Sequence, residues 1–159
     1  MTPALAFDIS GWWSGKATYQ QGDFVTSDWV TLQARGAKSS YLYIFQDTST
    51  TGTGYFLIWD DASTDYLLET YNLFFKNNIV VLYIPTVFDP TTGAPAASTL
   101  VLHPLGSATN IVTMNGYYTL YDMESTATTD LFVRMGGIVF NRVLVDKVPQ
   151  KAIEKVPFP

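Results

Sequence analysis

Residues Trp12 to Tyr19 alternate with a period of two. Trp13, Gly15, Ala17 and Tyr19 fall on one face, and Ser14, Lys16 and Thr18 on the other. Such alternation fits a half-buried strand and gives a helix no coherent apolar stripe. The pattern recurs along most of the chain. In the run from Trp29 to Arg35, Val30, Leu32 and Ala34 oppose Thr31, Gln33 and Arg35. Residues 41–46 and 55–59 are apolar on both faces and flank a Thr/Ser/Gly turn at 48–54, which predicts a hairpin. After a turn at 60–63, residues 66–75 and 79–84 predict a second hairpin around Lys76-Asn77-Asn78, because Asn accepts the left-handed conformation of tight turns. Strands are also predicted at 99–103, 110–121 and 129–145. The last contains Gly136-Gly137, where a glycine pair suggests a bulge or a barrel corner. The segment 89–95 is too rich in Pro, Thr and Gly for a strand; it reads as a connection, or as a lid over one end of a barrel.

About nine strand candidates without a long helix predict an all-β fold. Sequential hairpins favour an antiparallel up-and-down β-barrel of about eight or nine strands. Closure removes exposed edges, a hazard in so apolar a sheet. The 159 residues read as one domain, with the barrel over about 8–145 and a tail over 146–159 that has room for one or two helical turns.

Charge narrows the function. The net charge is −5, which argues against a nucleic-acid partner, since such proteins carry a basic stripe. Only 14% of residues are charged, well below the usual quarter, so two-sided burial, a homo-oligomer or a wide apolar cavity is expected. The absence of Cys rules out disulfides and thiolate metal sites. No metal and no cofactor is expected, because no phosphate loop, dinucleotide fingerprint or zinc motif occurs. The first residues do not read as a signal peptide, and no apolar run is long enough for a membrane helix, so a cytoplasmic protein without a membrane span is expected.

Gly11-x-Trp13 on the first strand, with Arg142 near the end of the last, resembles the pattern of lipocalins and the wider calycin superfamily. Asp60–Tyr66 is a loose echo of that family's middle motif. The resemblance implies that Arg142 packs over Trp13 at the closed end of a barrel. It also implies a cup for a small, largely apolar molecule. The absence of Cys departs from secreted lipocalins and points to an intracellular calycin-like barrel.

Glu69 is the carboxylate best placed for chemistry. It shares a strand face with Leu67, Tyr71, Leu73 and Phe75, and apolar surroundings raise a carboxyl pKa towards acid–base use. The alternatives are an outward side chain or a structural pair with Arg134. Arg134, mid-strand, needs such a partner or the acid group of a ligand. His103, the single histidine, precedes Pro104 at a strand end, where a surface role and a catalytic base are both open. The acidic clusters at 60–65 and 122–124 lack the spacing of a calcium loop. Tyr19, Trp29, Tyr43, Trp59, Tyr71, Tyr83, Tyr117 and Tyr118 are the candidates to line a cavity; each could instead pack the core or an outer face.

Three functions fit. One is a barrel that binds a small hydrophobic or aromatic molecule. The second is a cofactor-independent cyclase, isomerase or decarboxylase in which Glu69, Arg134, His103 or tyrosine hydroxyls act on a polycyclic or aromatic substrate. The third is a structural subunit whose outer wall is covered by neighbours.

Overall fold

The computed structural model describes residues 7–23, 28–33, 40–60, 63–88, 95–107, 110–123 and 131–158, and side chains within 7–16, 40–59, 63–84, 97–107, 110–119 and 135–158. Among the described residues nine strands follow one another: β1 (Gly11–Asp23), β2 (Asp28–Gln33), β3 (Ser40–Gln46), β4 (Thr51–Asp60), β5 (Asp65–Lys76), β6 (Ile79–Phe88), β7 (Pro95–Ser107), β8 (Asn110–Met123) and β9 (Leu131–Arg142). Every pairing is antiparallel, and β9 pairs with β1 from Trp13↔Arg142 to Asp23↔Phe132. That ladder closes an eight-strand barrel. The ninth strand, β2, shares a side of β1 with β3: β3 pairs with residues 11–15 and β2 with residues 18–23. Among the described residues no helix is long and apolar enough to cross a membrane.

Local chemistry sets the hairpins. Lys76 pairs with Ile79, so β5 and β6 join through Asn77-Asn78 alone. Both Asn residues have positive φ, 51° and 61°. Two successive left-handed residues match the twist of the flanking strands, and Asn tolerates them at low cost. Of the two expectations at Gly136-Gly137, the bulge is corrected: β9 runs in unbroken register with both neighbours through the pair. The irregularities lie instead between Ile84 and Val87, and at Leu105/Gly106, where Gly106 has φ 129°. One of the two register shifts thus falls at a glycine with positive φ and the other at Ile84–Val87, which has none, while the β9 glycines leave the ladder regular.

The inner rows form the core. Leu42, Phe56, Leu73, Leu82, Leu100, Met114, Ile138 and Phe140 pack in one cluster with Trp13. Gly15 faces the Phe140 ring and Gly54 faces Leu82, so each large side chain lies over a position without a Cβ. The segment before β1 plugs one end: Phe7 packs edge-on against Phe75 at 5.3 Å, and the Trp13 indole donates to the Ile9 carbonyl at 3.0 Å.

A second cluster lies on the outside. Trp12, Tyr41, Leu57 and Tyr66 are covered by Val148, Ala152 and Val156 of the C-terminal tail, which contains a 3-10 turn (Val145–Lys147) and the single helical turn α1 (Gln150–Ile153). Lys155 pairs with Asp65, and Lys151 Nζ donates to the Thr64 carbonyl at 3.1 Å.

Candidate functional site

The barrel has a sealed end and a mouth. At the sealed end the Arg142 guanidinium lies 4.4 Å above the Trp13 ring. Its Nε donates to the Ile111 carbonyl at 2.7 Å, Nη1 to Ser10 at 2.7 Å and Nη2 to Asp8 at 2.9 Å. A planar, forked donor satisfies three carbonyls while its face covers the indole.

Towards the mouth the inner rows lose their cover. Along β5, Tyr71 is 0% exposed, Glu69 is half-buried and Leu67 is 53% exposed. Leu67 pairs with Ile58 and Glu69 with Phe56, both inner positions of β4. On β6, Leu82 is buried and Ile84 half-buried; on β9, Ile138 is buried and Gly136 half-buried. Among the described side chains, the inner rows are buried from the sealed end to the level of Tyr71 and partly exposed beyond it.

A polar chain crosses this floor. The Tyr71 hydroxyl donates to Glu69 Oε2 at 2.6 Å and lies 2.7 Å from Ser98 Oγ. The Phe56 ring abuts Tyr71 edge-on at 6.3 Å. Burial, then the Glu69 charge and the nearby Tyr118, push the Tyr71 phenol far above tyrosine's ordinary pKa. Tyr71 therefore stays a proton donor throughout the physiological range. Ser98 was not singled out in the sequence. Its signal is parity, since it shares a row with Leu100 and Leu102 and pairs with Ile84.

The other sequence candidates divide by face. Tyr118 is buried in the inner cluster. Tyr43 lies outside the barrel, 5.1 Å from both Trp12 and Phe158. Trp59 also lies outside, 5.1 Å from Tyr66 and with Lys151 Nζ 5.9 Å above its ring. The tail makes that outer face a core, which is why β3 and β4 are apolar on both sides. Tyr83 and Tyr117 project outwards and are exposed. His103 is exposed on the outer wall, where it lines a shallow cavity of about 680 Å³ with Lys16, Leu105, Asn115, Tyr117 and Val139. The three proposed catalytic groups are thus not assembled by the described side chains: Glu69 faces the lumen and His103 faces away from it.

Tyr19 pairs with Gly136, Trp29 with Gly22, and Arg134 with Gln21 and Leu120; their side chains lie outside the described residues. So do the segment 89–94, Asp61 and Glu124. Among the described residues no three His, Asp or Glu side chains converge as a metal site.

Comparison of the chain with models of known protein families finds no match, and comparison with characterised proteins finds none either.

Proposed function

We propose that the mouth half of the barrel binds a small hydrophobic or aromatic molecule, in a calycin-like arrangement with Trp13 and Arg142 as its sealed base. The observation that carries this reading is the exposed, inward-facing Leu67 above the buried Tyr71. An apolar wall over a floor with a few convergent polar groups is the usual make-up of a small-molecule site. Diphenylhexatriene, a neutral hydrocarbon that fluoresces in apolar surroundings, tests it. Saturable enhancement is expected. It should weaken by about tenfold or more in Leu67→Trp, which fills the mouth, and hold in Tyr83→Ala on the outer wall. Absence of saturation, or equal weakening by Tyr83→Ala, overturns the reading.

One observation favours catalysis as a second reading. Glu69 and Tyr71 share a short proton-bearing contact on the inner row of β5, where burial gives way to partial exposure. A carboxylate and a phenol so placed suit proton transfer in a cofactor-independent cyclisation or isomerisation. A bound ligand that rearranges without change of mass, and no longer does so with Glu69→Gln, is the expected result. Rearrangement at an unchanged rate in that variant removes Glu69 from the chemistry.

A further inference from the structure

Gly137 is a glycine that the backbone does not call for. β9 keeps its register through it, so it forms no bulge. The positive-φ glycines among the described residues are Gly11 and Gly106, so no left-handed conformation needs it. Among the described residues, a Cβ at Gly137 would meet nothing nearer than the Gly116 carbonyl oxygen at 4.0 Å. A strand corner demands glycine where a Cβ is crowded or φ is one that side chains avoid, and Gly137 meets neither condition. A bare strand position costs stability, and a remaining reason for one is the close approach of a ligand.

The surroundings of the gap have the chemistry of a site. Gly137 faces outwards and lines the cavity of about 680 Å³ on the outer wall. Its register partner on β8, Tyr117, is 70% exposed, and Val139, next on the same face of β9, is exposed as well. A ring laid on Gly137 would lie against both, and the Tyr117 ring offers it a stacked or edge-on partner. One cation is within reach. Lys16 pairs with Val139, and Thr18 with Gly137, so Lys16 is the diagonal neighbour of Gly137. Such neighbours lie about 7–8 Å apart, a gap that long side chains span. The ion pairs of lysines with described acids are Lys147–Asp146 and Lys155–Asp65, and no Asp or Glu is among the described lining residues, so Lys16 meets no carboxylate there. The other basic residue of the cavity, His103, stands two strands from Val139, beyond Asn115.

We propose that this outer cavity is a binding site for a small planar aromatic carboxylate. The ring rests on Gly137 against Tyr117 and Val139, and the carboxylate accepts from Lys16 Nζ. A charge-assisted hydrogen bond favours the anion over a neutral molecule of the same shape. The site lies on the opposite face of the sheet from the lumen and binds whether or not the lumen does.

Calorimetric titration of the whole protein near neutral pH tests it, with 2-naphthoate as the probe and 2-naphthamide as its neutral counterpart. 2-Naphthoate should bind saturably and at least about tenfold more tightly than the amide. Lys16→Met should remove that preference. Gly137→Val puts a strand-forming side chain into the gap; it should weaken 2-naphthoate by about tenfold or more and melt no lower than the unaltered protein. Leu67→Trp, in the lumen mouth, should leave the titration unchanged. Absence of saturable binding, a preference for the acid that survives Lys16→Met, undiminished binding to Gly137→Val, or weakening by Leu67→Trp overturns the proposal. A lower melting temperature of Gly137→Val also overturns it, because the backbone would then need the glycine for itself.

Discussion

Arg142 covers Trp13 at 4.4 Å, and the two residues are also register partners in the ladder that closes the barrel. One contact thus does two things. It seals the base of the lumen, and it fixes how the last strand meets the first. Arg142→Ala leaves three carbonyls without their charged donor, and Trp13→Ala opens a cavity in the core. Each should cost about 3–5 kcal/mol in urea unfolding. Arg142→Lys should recover less than half, because an ammonium cannot serve three divergent carbonyls while stacking on an indole. Wild-type stability in either alanine variant would detach the pair from barrel closure.

Tyr71 gives an alkaline signature. Its phenol is held far above the ordinary value of 10.0, so in the folded protein it keeps a proton that the unfolded chain releases near that value. A raised pKa contributes stability that is full below the unfolded value and lost as pH rises through it and beyond. Tyr71→Phe should remove this alkaline slope. At neutral pH it should cost about 1–3 kcal/mol, because buried Ser98 loses its acceptor. Unfolding curves across the alkaline range, compared between the two proteins, check both parts.

Two glycines separate side-chain crowding from backbone crowding. A methyl group on Gly54 would meet the end of the Leu82 side chain, whereas one on Gly116 would meet the Val101 carbonyl of the neighbouring strand. Gly54→Ala should destabilise by about 1–3 kcal/mol and be largely rescued by Leu82→Val. Gly116→Ala should cost at least as much and respond to no side-chain trimming, since the ladder itself must move. A double-mutant cycle on Gly54 and Leu82 with no coupling would reject the assignment.

Asp65 ties the tail to the start of β5. Its carboxyl is held below the usual range, first by the hydrogen bond from Lys155 and then by the Tyr66 N–H. A depressed pKa contributes stability that is present above the unfolded value and lost as pH falls through the folded one. The gap in melting temperature between wild type and Asp65→Asn should therefore close on acidification. Because the pair is exposed, it should also shrink with salt at neutral pH. A gap that persists in strong acid would assign the effect to something other than this charge.

The sequence carried the strands, their hairpin order and the Trp13–Arg142 contact, because each rests on local alternation or on a short motif. It carried the inner row of β5 as well, so Glu69 and Tyr71 were placed on one face. It could not assign Tyr43 and Trp59. Parity fails where both faces of a strand are apolar, and the reason for the second apolar face lies far along the chain. Val148, Ala152 and Val156 recur at intervals of four, the spacing of one side of a helical turn, a signal of a tail seeking an apolar surface that the reading of the sequence did not use. The glycine pair in β9 forms no bulge: a glycine in a strand can mark a bulge or a bend that keeps the register, and composition does not choose between them.

Closure of β1 onto β9 also governs how the chain can be made. Synthesis delivers β1 early and β9 late, and all the intervening strands can pair with a neighbour already present. The β9 edge of β1 has no partner until residues near Arg142 emerge. A nascent chain therefore carries an open, aromatic-rich edge for most of its translation, a natural template for pairing with another nascent copy. Folding rate should be limited by that last long-range meeting and not by the hairpins between.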